Sequence, residues 1–279
     1  MNPRKIIVRF IIPILAFGIP FVVPLYNFSY PQDLLNVVSL LFVIILGFFI
    51  AAATSNYLNF QSCLAEENSA LVTLFNIVKL VAPSSTKKIA DLIDYYVIKT
   101  LDYEIGEYAD HTQKEYDEIV EEVDKSKINS KNSNSLALFS YMHEVKCNLL
   151  KVRQNVFQAA RKVMHGTHWA ILVLLALVIE FLLLSARNGD VFINAIMGVI
   201  TIALCLALIL LYEVDSNVFL EEQLAYGDPQ KVFEAIGKLP YYPETAIKYN
   251  IAKPEKKYRI GIYTNYPKSF EKTIKIVEK

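Results

Sequence analysis

The sequence predicts an all-α membrane protein with four transmembrane helices and long helices that extend into the cytoplasm. Hydrophobic residues make up 54% of the 279 residues and charged residues only 20%. A soluble domain of this length is normally less apolar and more charged. The charges are also concentrated outside four apolar windows, each close to the roughly 20 residues that a helix needs to cross a bilayer.

These windows divide the chain into two transmembrane hairpins. The first hairpin, residues 1–54, holds spans at about residues 6–26 and 34–54. The second holds spans at about residues 169–186 and 191–212. Prolines at positions 13, 20 and 24 predict a kinked or partly unwound first span, because each proline removes a backbone hydrogen bond.

The basic residues predict which side of the membrane each segment faces. Of the 28 Lys and Arg residues, thirteen lie in residues 55–168, eleven in residues 213–279 and three in the first nine residues. The two short connectors hold only Arg187. Basic segments stay on the cytoplasmic side. We therefore expect an integral protein of the cell membrane, with a cytoplasmic helical region (55–168), a cytoplasmic tail (213–279) and both termini in the cytoplasm.

The cytoplasmic segments also carry helical patterns. The helix of the second span is expected to continue to about residue 82, where Pro83 ends it. Amphipathic spacing predicts a second helix over residues 87–124 and a third over 136–164 that runs directly into the third span. In the tail, Asp228 is the expected N-cap of a short helix. The stretch YRIGIYTNY alternates as a short strand does, although no domain is predicted from it.

Glu180 is the one charged residue in the third span. It lies about 10 Å from the outer end of that helix at 1.5 Å per residue. A carboxylate at such a depth costs a few kcal/mol and usually faces a cavity or a bundle interior. Two interpretations stay open: an ion or proton site, or a neutral glutamate that hydrogen-bonds a neighbouring helix. Arg9 lies near the opposite membrane face, so a direct pair is not expected.

The second span has two distinct faces at 100° per residue. One face consists of small residues and is predicted to pack closely against another backbone. Its residues are Gly47, Ala51 and Thr54. The opposite face changes from apolar to amide toward the cytoplasm, as in a pore lining with a hydrophobic constriction; it holds Ile45, Phe49, Ala52, Asn56 and Asn59. A lipid-facing helix that becomes solvated would give the same gradient, and this alternative stays open.

No cofactor or metal site is predicted. His165 and His168 could share a metal three residues apart on a helix, but Gly166 weakens the helix and no carboxylate lies at ligand spacing. Interfacial residues beside Trp169 are the preferred interpretation. The three cysteines have no CxxC spacing, no enzyme signature occurs, and a net charge of zero gives no indication of nucleic-acid binding.

Three stretches resemble the bestrophin-like DUF4239 family of membrane proteins: LGFFIAAATSNYLNFQSCLAEENSALVTLFNIV, VRQNVFQAARKVMHGTHWAILVLLALV and LALILLYEVDSNVFLEE. The resemblance covers roughly residues 34–238. One departure is that the family often has Asp followed closely by Pro and Phe, whereas SNVF follows Asp215 here. The resemblance implies four spans, cytoplasmic termini and a plan similar to bestrophins, which are pentameric anion channels whose second span lines the pore.

The sequence-based hypothesis is a bestrophin-like oligomeric ion channel that is not an enzyme. Its expected partners are the lipid bilayer, inorganic ions and further copies of the chain, a pentamer by the resemblance, and no nucleic acid. Ile45 and Phe49 would form the constriction, Asn56 and Asn59 would coordinate ions, and Glu180 would pack helices or lie in the outer vestibule. The alternative is a non-conducting scaffold or sensor whose cytoplasmic helices bind a partner. A proton-coupled carrier that uses Glu180 ranks third.

Overall fold

The computed structural model describes residues 11–25, 30–103, 108–126, 133–216, 226–254, 256–266 and 269–278. It consists mainly of helices. The elements in chain order are α1 (Ile12–Phe17), α2 (Ile19–Val22), α3 (Gln32–Val81), a 3-10 turn (Pro83–Ser85), α4 (Thr86–Thr100), α5 (Tyr108–His111), α6 (Gln113–Lys125), α7 (Ser133–Ala159), α8 (Gly166–Ser185), α9 (Val191–Asp215), α10 (Asp228–Ala235), β1 (Tyr241–Pro243), α11 (Glu244–Lys248), β2 (Tyr258–Tyr263) and β3 (Lys272–Val277).

The chain forms two compact units. The first contains Met1–Tyr57 and Lys162–Val218, and the second contains Leu58–Arg161 and Phe219–Lys279. Helix α3 contributes residues to both units.

Three helices of the described residues are long and apolar enough to cross a membrane: α3, α8 and α9. They agree with the second, third and fourth predicted spans. The first predicted span lies partly outside the described residues, and its described part is a shorter apolar helical segment, Ile12–Val22. Gly18 separates α1 from α2, and Pro20 lies in the first turn of α2. This break agrees with the kink that the prolines predict.

The core of the first unit joins α3, α8 and α9. Its buried members are large or compact apolar residues, namely Phe42, Leu46, Ala53, Met164, Leu172, Ile179 and Leu211. On another side of α9, Gly198 allows α1 to approach closely. A Cβ at Gly198 would lie 2.7 Å from the Phe17 ring and 2.9 Å from the Phe17 carbonyl oxygen, so any side chain there would force the helices apart.

The prediction that one helix runs from residue 136 into the third span is wrong. Helix α7 ends at Ala159 and α8 begins at Gly166. The Asp215 carboxylate accepts hydrogen bonds of 3.0 Å from the backbone N–H groups of both Val163 and Met164. These bonds satisfy amides that a continuous helix would have paired with its own carbonyls. Asp215 therefore holds the break open from the far end of α9.

The second unit has a core formed by the C-terminal half of α3 with α4, α6, α7 and α10. Helix α3 ends at Val81, two residues before Pro83, as expected. The predicted helix over residues 87–124 is instead three helices, α4, α5 and α6. Its inward stripe is nevertheless confirmed in α4, where Ile89, Ile93, Tyr96 and Val97 are buried.

The tail contains a small sheet, so the all-α prediction is wrong for this segment. Strand β1 pairs with β2 in parallel and β2 pairs with β3 in antiparallel orientation. The YRIGIYTNY stretch forms β2, as its alternation indicates. Gly261 is required in β2 because a Cβ there would lie 2.0 Å from the Tyr241 hydroxyl oxygen. Gly227, not Asp228, is the N-cap of α10.

Candidate functional site

The predicted pore-lining face of α3 is partly covered within its own unit. Ile45 and Phe49 pack against the core of the first unit. The Phe49 ring also lies 4.9 Å from the His168 ring, centre to centre. The remaining members of this face are half-buried at Ala52 and Asn56 and exposed at Asn59.

The face predicted for helix packing is more open. Gly47 and Ala51 are exposed, and Thr54 is half-buried. A Cβ added at Gly47 would meet no described atom within 4 Å.

A continuous exposed stripe runs along α3 beside these two faces. Ile44 and Phe48 are 60% and 68% exposed, although both are large and apolar. They are followed at helical spacing by the exposed small and polar residues Ala51, Ser55 and Asn59. These five residues are called the exposed stripe below. It shows the same apolar-to-polar gradient as the predicted pore-lining set. Each of its first four residues precedes the corresponding residue of that set by one position, and Asn59 belongs to both.

Glu180 hydrogen-bonds a neighbouring helix. Its two carboxylate oxygens lie 3.0 and 2.9 Å from the Thr201 hydroxyl oxygen on α9. The same hydroxyl lies 3.0 Å from the Met197 carbonyl oxygen. A hydroxyl has only one hydrogen to donate. When it donates to Met197, as threonines in helices commonly do, a protonated Glu180 can donate to Thr201 in turn.

Arg187 in the second hairpin donates hydrogen bonds to the end of the first apolar segment. It is buried, and its guanidinium donates to the carbonyl oxygens of Pro20, of Val23 at 3.2 Å and of Pro24 at 2.9 Å. Pro20 lies within the short helix α2, and Val23 and Pro24 follow it, so the end of the helix leaves these carbonyls without helical partners. Proline 24 was expected to disrupt the helix, and Arg187 supplies the donors for the carbonyls that this disruption frees.

The second unit holds a buried polar cluster around Glu67 and Arg153. Tyr96 and Tyr108 each donate a hydrogen bond to the Glu67 carboxylate, the latter at 2.5 Å. Arg153 lies 3.7 Å from that carboxylate and donates to the Tyr96 hydroxyl at 2.5 Å and to Thr112 at 3.2 Å. The charges thus compensate each other, as burial requires.

Burial raises the pKa of the Tyr96 and Tyr108 hydroxyls well above the usual value for tyrosine. The Glu67 carboxylate raises both pKa values further, and the positive charge of Arg153 opposes this effect. Both hydroxyls therefore remain protonated donors to Glu67.

The sequence carried a usable signal for this cluster. Glu67 lies four residues before Leu71 on the inward stripe of α3, and Arg153 lies between the inward residues Val152 and Val156. A charge on an apolar stripe indicates a buried partner. Which elements supply that partner is a property of the tertiary fold alone.

No group of three or more His, Cys, Asp or Glu side chains suited to a metal ion occurs among the described residues. His165 and His168 instead begin α8: the His168 Nδ1 atom accepts a hydrogen bond of 3.2 Å from the His165 backbone N–H.

Comparison with known proteins agrees with this architecture. The model of a family described as "Bestrophin-like domain" matches residues 33–217. Among solved structures, the chain is similar to a variant of a bacterial bestrophin homologue from Klebsiella pneumoniae, with a TM-score of 0.56 at 13% identity over 84% of this chain and 100% of that one. Another structure of that homologue gives a TM-score of 0.55 at 14% identity over 85% and 100% of the two chains.

A crystal structure described only as a membrane-protein variant gives a TM-score of 0.60 at 14% identity, over 85% of this chain and 100% of that one. At these identities the likeness concerns the fold. No curated protein matches the chain.

Proposed function

The chain belongs to the bestrophin-like family, and from this membership we propose that it is one subunit of a homo-oligomeric ion channel whose pore runs along α3. The supporting observation is the exposed stripe of α3, which passes from bulky apolar to small and then polar side chains. A gradient of this kind suits a hydrophobic constriction followed by a hydrated, polar section of a pore. A ring of five copies is the assembly that the family resemblance implies.

Two orientations of α3, which differ by a rotation about its own helix axis, can place such a gradient at the central axis of a ring. The set expected from the sequence has Ile45, Phe49, Ala52, Asn56 and Asn59 at the axis. The exposed stripe has Ile44 and Phe48 at the constriction instead. We favour the exposed stripe, because a side chain that already packs within its own subunit has less surface to offer a pore, and Phe49 packs against His168.

Glu180 has a packing role in this proposal. Its carboxyl group contacts Thr201 on α9, and in this proposal it therefore packs α8 against α9 and does not line the pore. The pore lining of the exposed stripe is then uncharged. The orientation that places both termini in the cytoplasm rests on the distribution of Lys and Arg.

The test is ion flux into liposomes that contain the purified protein, with Phe48→Ala and Phe49→Ala compared side by side. We expect a salt-gradient-dependent flux that Phe48→Ala raises severalfold, because it widens a hydrophobic constriction. Phe49→Ala should mainly lower stability, by about 3 kcal/mol if it empties packed space. Phe192→Ala, at a residue of α9 that is 73% exposed, is the matched control and should change neither the flux nor the stability.

Flux changed by Phe49→Ala and not by Phe48→Ala would assign the pore to the face expected from the sequence. No flux from intact, correctly folded protein under any salt gradient would reject the channel and leave the scaffold or sensor and the proton-coupled carrier as the remaining hypotheses.

A further inference from the structure

An open pocket lies in the tail of the second unit, on the sheet. Its volume is about 370 Å³, within the range of small-molecule sites. It is called the tail pocket, and the residues that matter here are Tyr226, Tyr242, Tyr258, Lys253, Pro254 and Lys256.

The sheet explains why the pocket is aromatic. In β1, Tyr241 and Pro243 are buried and Tyr242 between them points to the other face. Tyr242 is opposite Ile260 of β2, so Tyr258, two residues earlier, shares that face. The rings of Tyr242 and Tyr258 are 5.7 Å apart and nearly perpendicular, and the Tyr226 ring lies 6.2 Å from that of Tyr242. Three tyrosine rings therefore surround one space.

The pocket also has a positively charged edge. Lys253 and Lys256 are exposed beside it, and neither ammonium has an ion-pair partner among the described residues. The neighbouring Lys257, by contrast, is paired with Glu278. The described lining contains no carboxylate. Within the described part of the chain, the Tyr242 and Tyr258 hydroxyls likewise have no hydrogen-bond partner.

We propose that the tail pocket binds a small organic anion that carries a flat ring. The ring would pack among the tyrosines, whose edges and faces favour aromatic partners. The anionic group would lie between the two lysine ammoniums and accept charge-assisted hydrogen bonds from them. An inorganic anion would leave the aromatic walls unused, and a neutral ring would leave both ammoniums without a counter-charge. This inference is independent of the proposed channel function.

The experiment titrates the full-length protein, purified in an uncharged detergent, by isothermal calorimetry with phenyl phosphate. Inorganic phosphate and benzyl alcohol serve as probes that carry only the charge or only the ring. We expect phenyl phosphate to bind at least about tenfold more tightly than either, which corresponds to roughly 1.4 kcal/mol. Tyr242→Leu should remove most of the preference for phenyl phosphate over phosphate.

The double variant K253Q/K256Q should weaken the binding of phenyl phosphate by about tenfold, and Lys257→Gln is the matched control that should leave it unchanged. Both lysines are exposed, so the double variant should fold normally, and its melting temperature checks this. Equal affinity for phenyl phosphate and phosphate, absence of binding, or unaltered binding in K253Q/K256Q would each overturn the proposal.

Discussion

At the scale of single residues, the contact between Glu180 and Thr201 explains how a carboxylate is tolerated in a transmembrane helix. Thr201 is buried, and its hydroxyl lies within 3.0 Å of both carboxylate oxygens. The group that Glu180 contacts directly is the hydroxyl of a threonine on the neighbouring helix. The arrangement corresponds to the structural interpretation of Glu180 and gives the carrier hypothesis no second titratable partner at this contact.

Thr201→Val is expected to destabilise the protein by about 1 kcal/mol, since hydrogen bonds between membrane helices average about 0.6 kcal/mol and reach about 1.7 kcal/mol. The measurement is unfolding in detergent, followed by helix signal. Thr73→Val removes a hydroxyl that bonds only the Ser69 carbonyl of its own helix, and it should have little effect. In a double-mutant cycle with Glu180→Gln, strictly additive losses would show that the two residues are not coupled.

The buried tyrosines predict a loss of stability at alkaline pH. Their folded-state pKa values lie above the unfolded value, so the unfolded chain loses these protons first as the pH rises. Stability is thus fully present below about pH 10 and declines above it. Tyr108→Phe should reduce the slope of stability against pH above about pH 10. Tyr141→Phe, at an exposed tyrosine, should leave the slope as it is, and an equal change in both variants would contradict the explanation.

At the scale of elements, the cluster around Glu67 connects α3, α4, α5 and α7 by side-chain bonds in the second unit. Arg153→Met should cost about 3–5 kcal/mol of unfolding free energy, because Glu67 would be left as a buried charge without compensation. Lys151→Met, at an exposed position of the same helix, is the control and should stay within about 0.5 kcal/mol. Adding Glu67→Gln to Arg153→Met should recover part of the loss; further destabilisation would contradict the account.

The elements differ in how well the sequence predicts them. The spans in α3, α8 and α9 and the end of α3 before Pro83 follow from hydropathy and local sterics, which are encoded in adjacent residues. The break between α7 and α8 depends on Asp215, about fifty residues further along the chain. The sheet likewise depends on pairing β1 with β2 across an intervening helix, and each strand alone is too short to give a strong signal.

The sequence likewise predicts only part of the candidate site. Helical spacing correctly indicated that α3 has an apolar-to-polar face, and the existence of that gradient needs only the sequence. Which face remains open depends on what α3 packs against, and His168 from the start of α8 covers Phe49 rather than Phe48. A rotation of one residue about the helix axis cannot be read from composition or periodicity.

At the scale of the whole molecule, the proposed pore requires an assembly of several chains. A single copy exposes many large apolar residues on α3, such as Val37, Ile44 and Phe48. Lipid can cover all of them, whereas a pore requires that one stripe faces other copies around an axis. The exposed Gly47, which lies outside the exposed stripe and leaves room for a neighbouring backbone, is compatible with such contacts.

Electron microscopy of the full-length protein in detergent or nanodiscs would decide whether α3 lines a pore, because the particle images give the number of copies and the position of α3. We expect a closed ring in which α3 lies nearest the axis and Phe48 is directed toward that axis. Monomers or dimers under conditions that preserve the fold, or a ring with α3 at its periphery, would contradict the proposed pore.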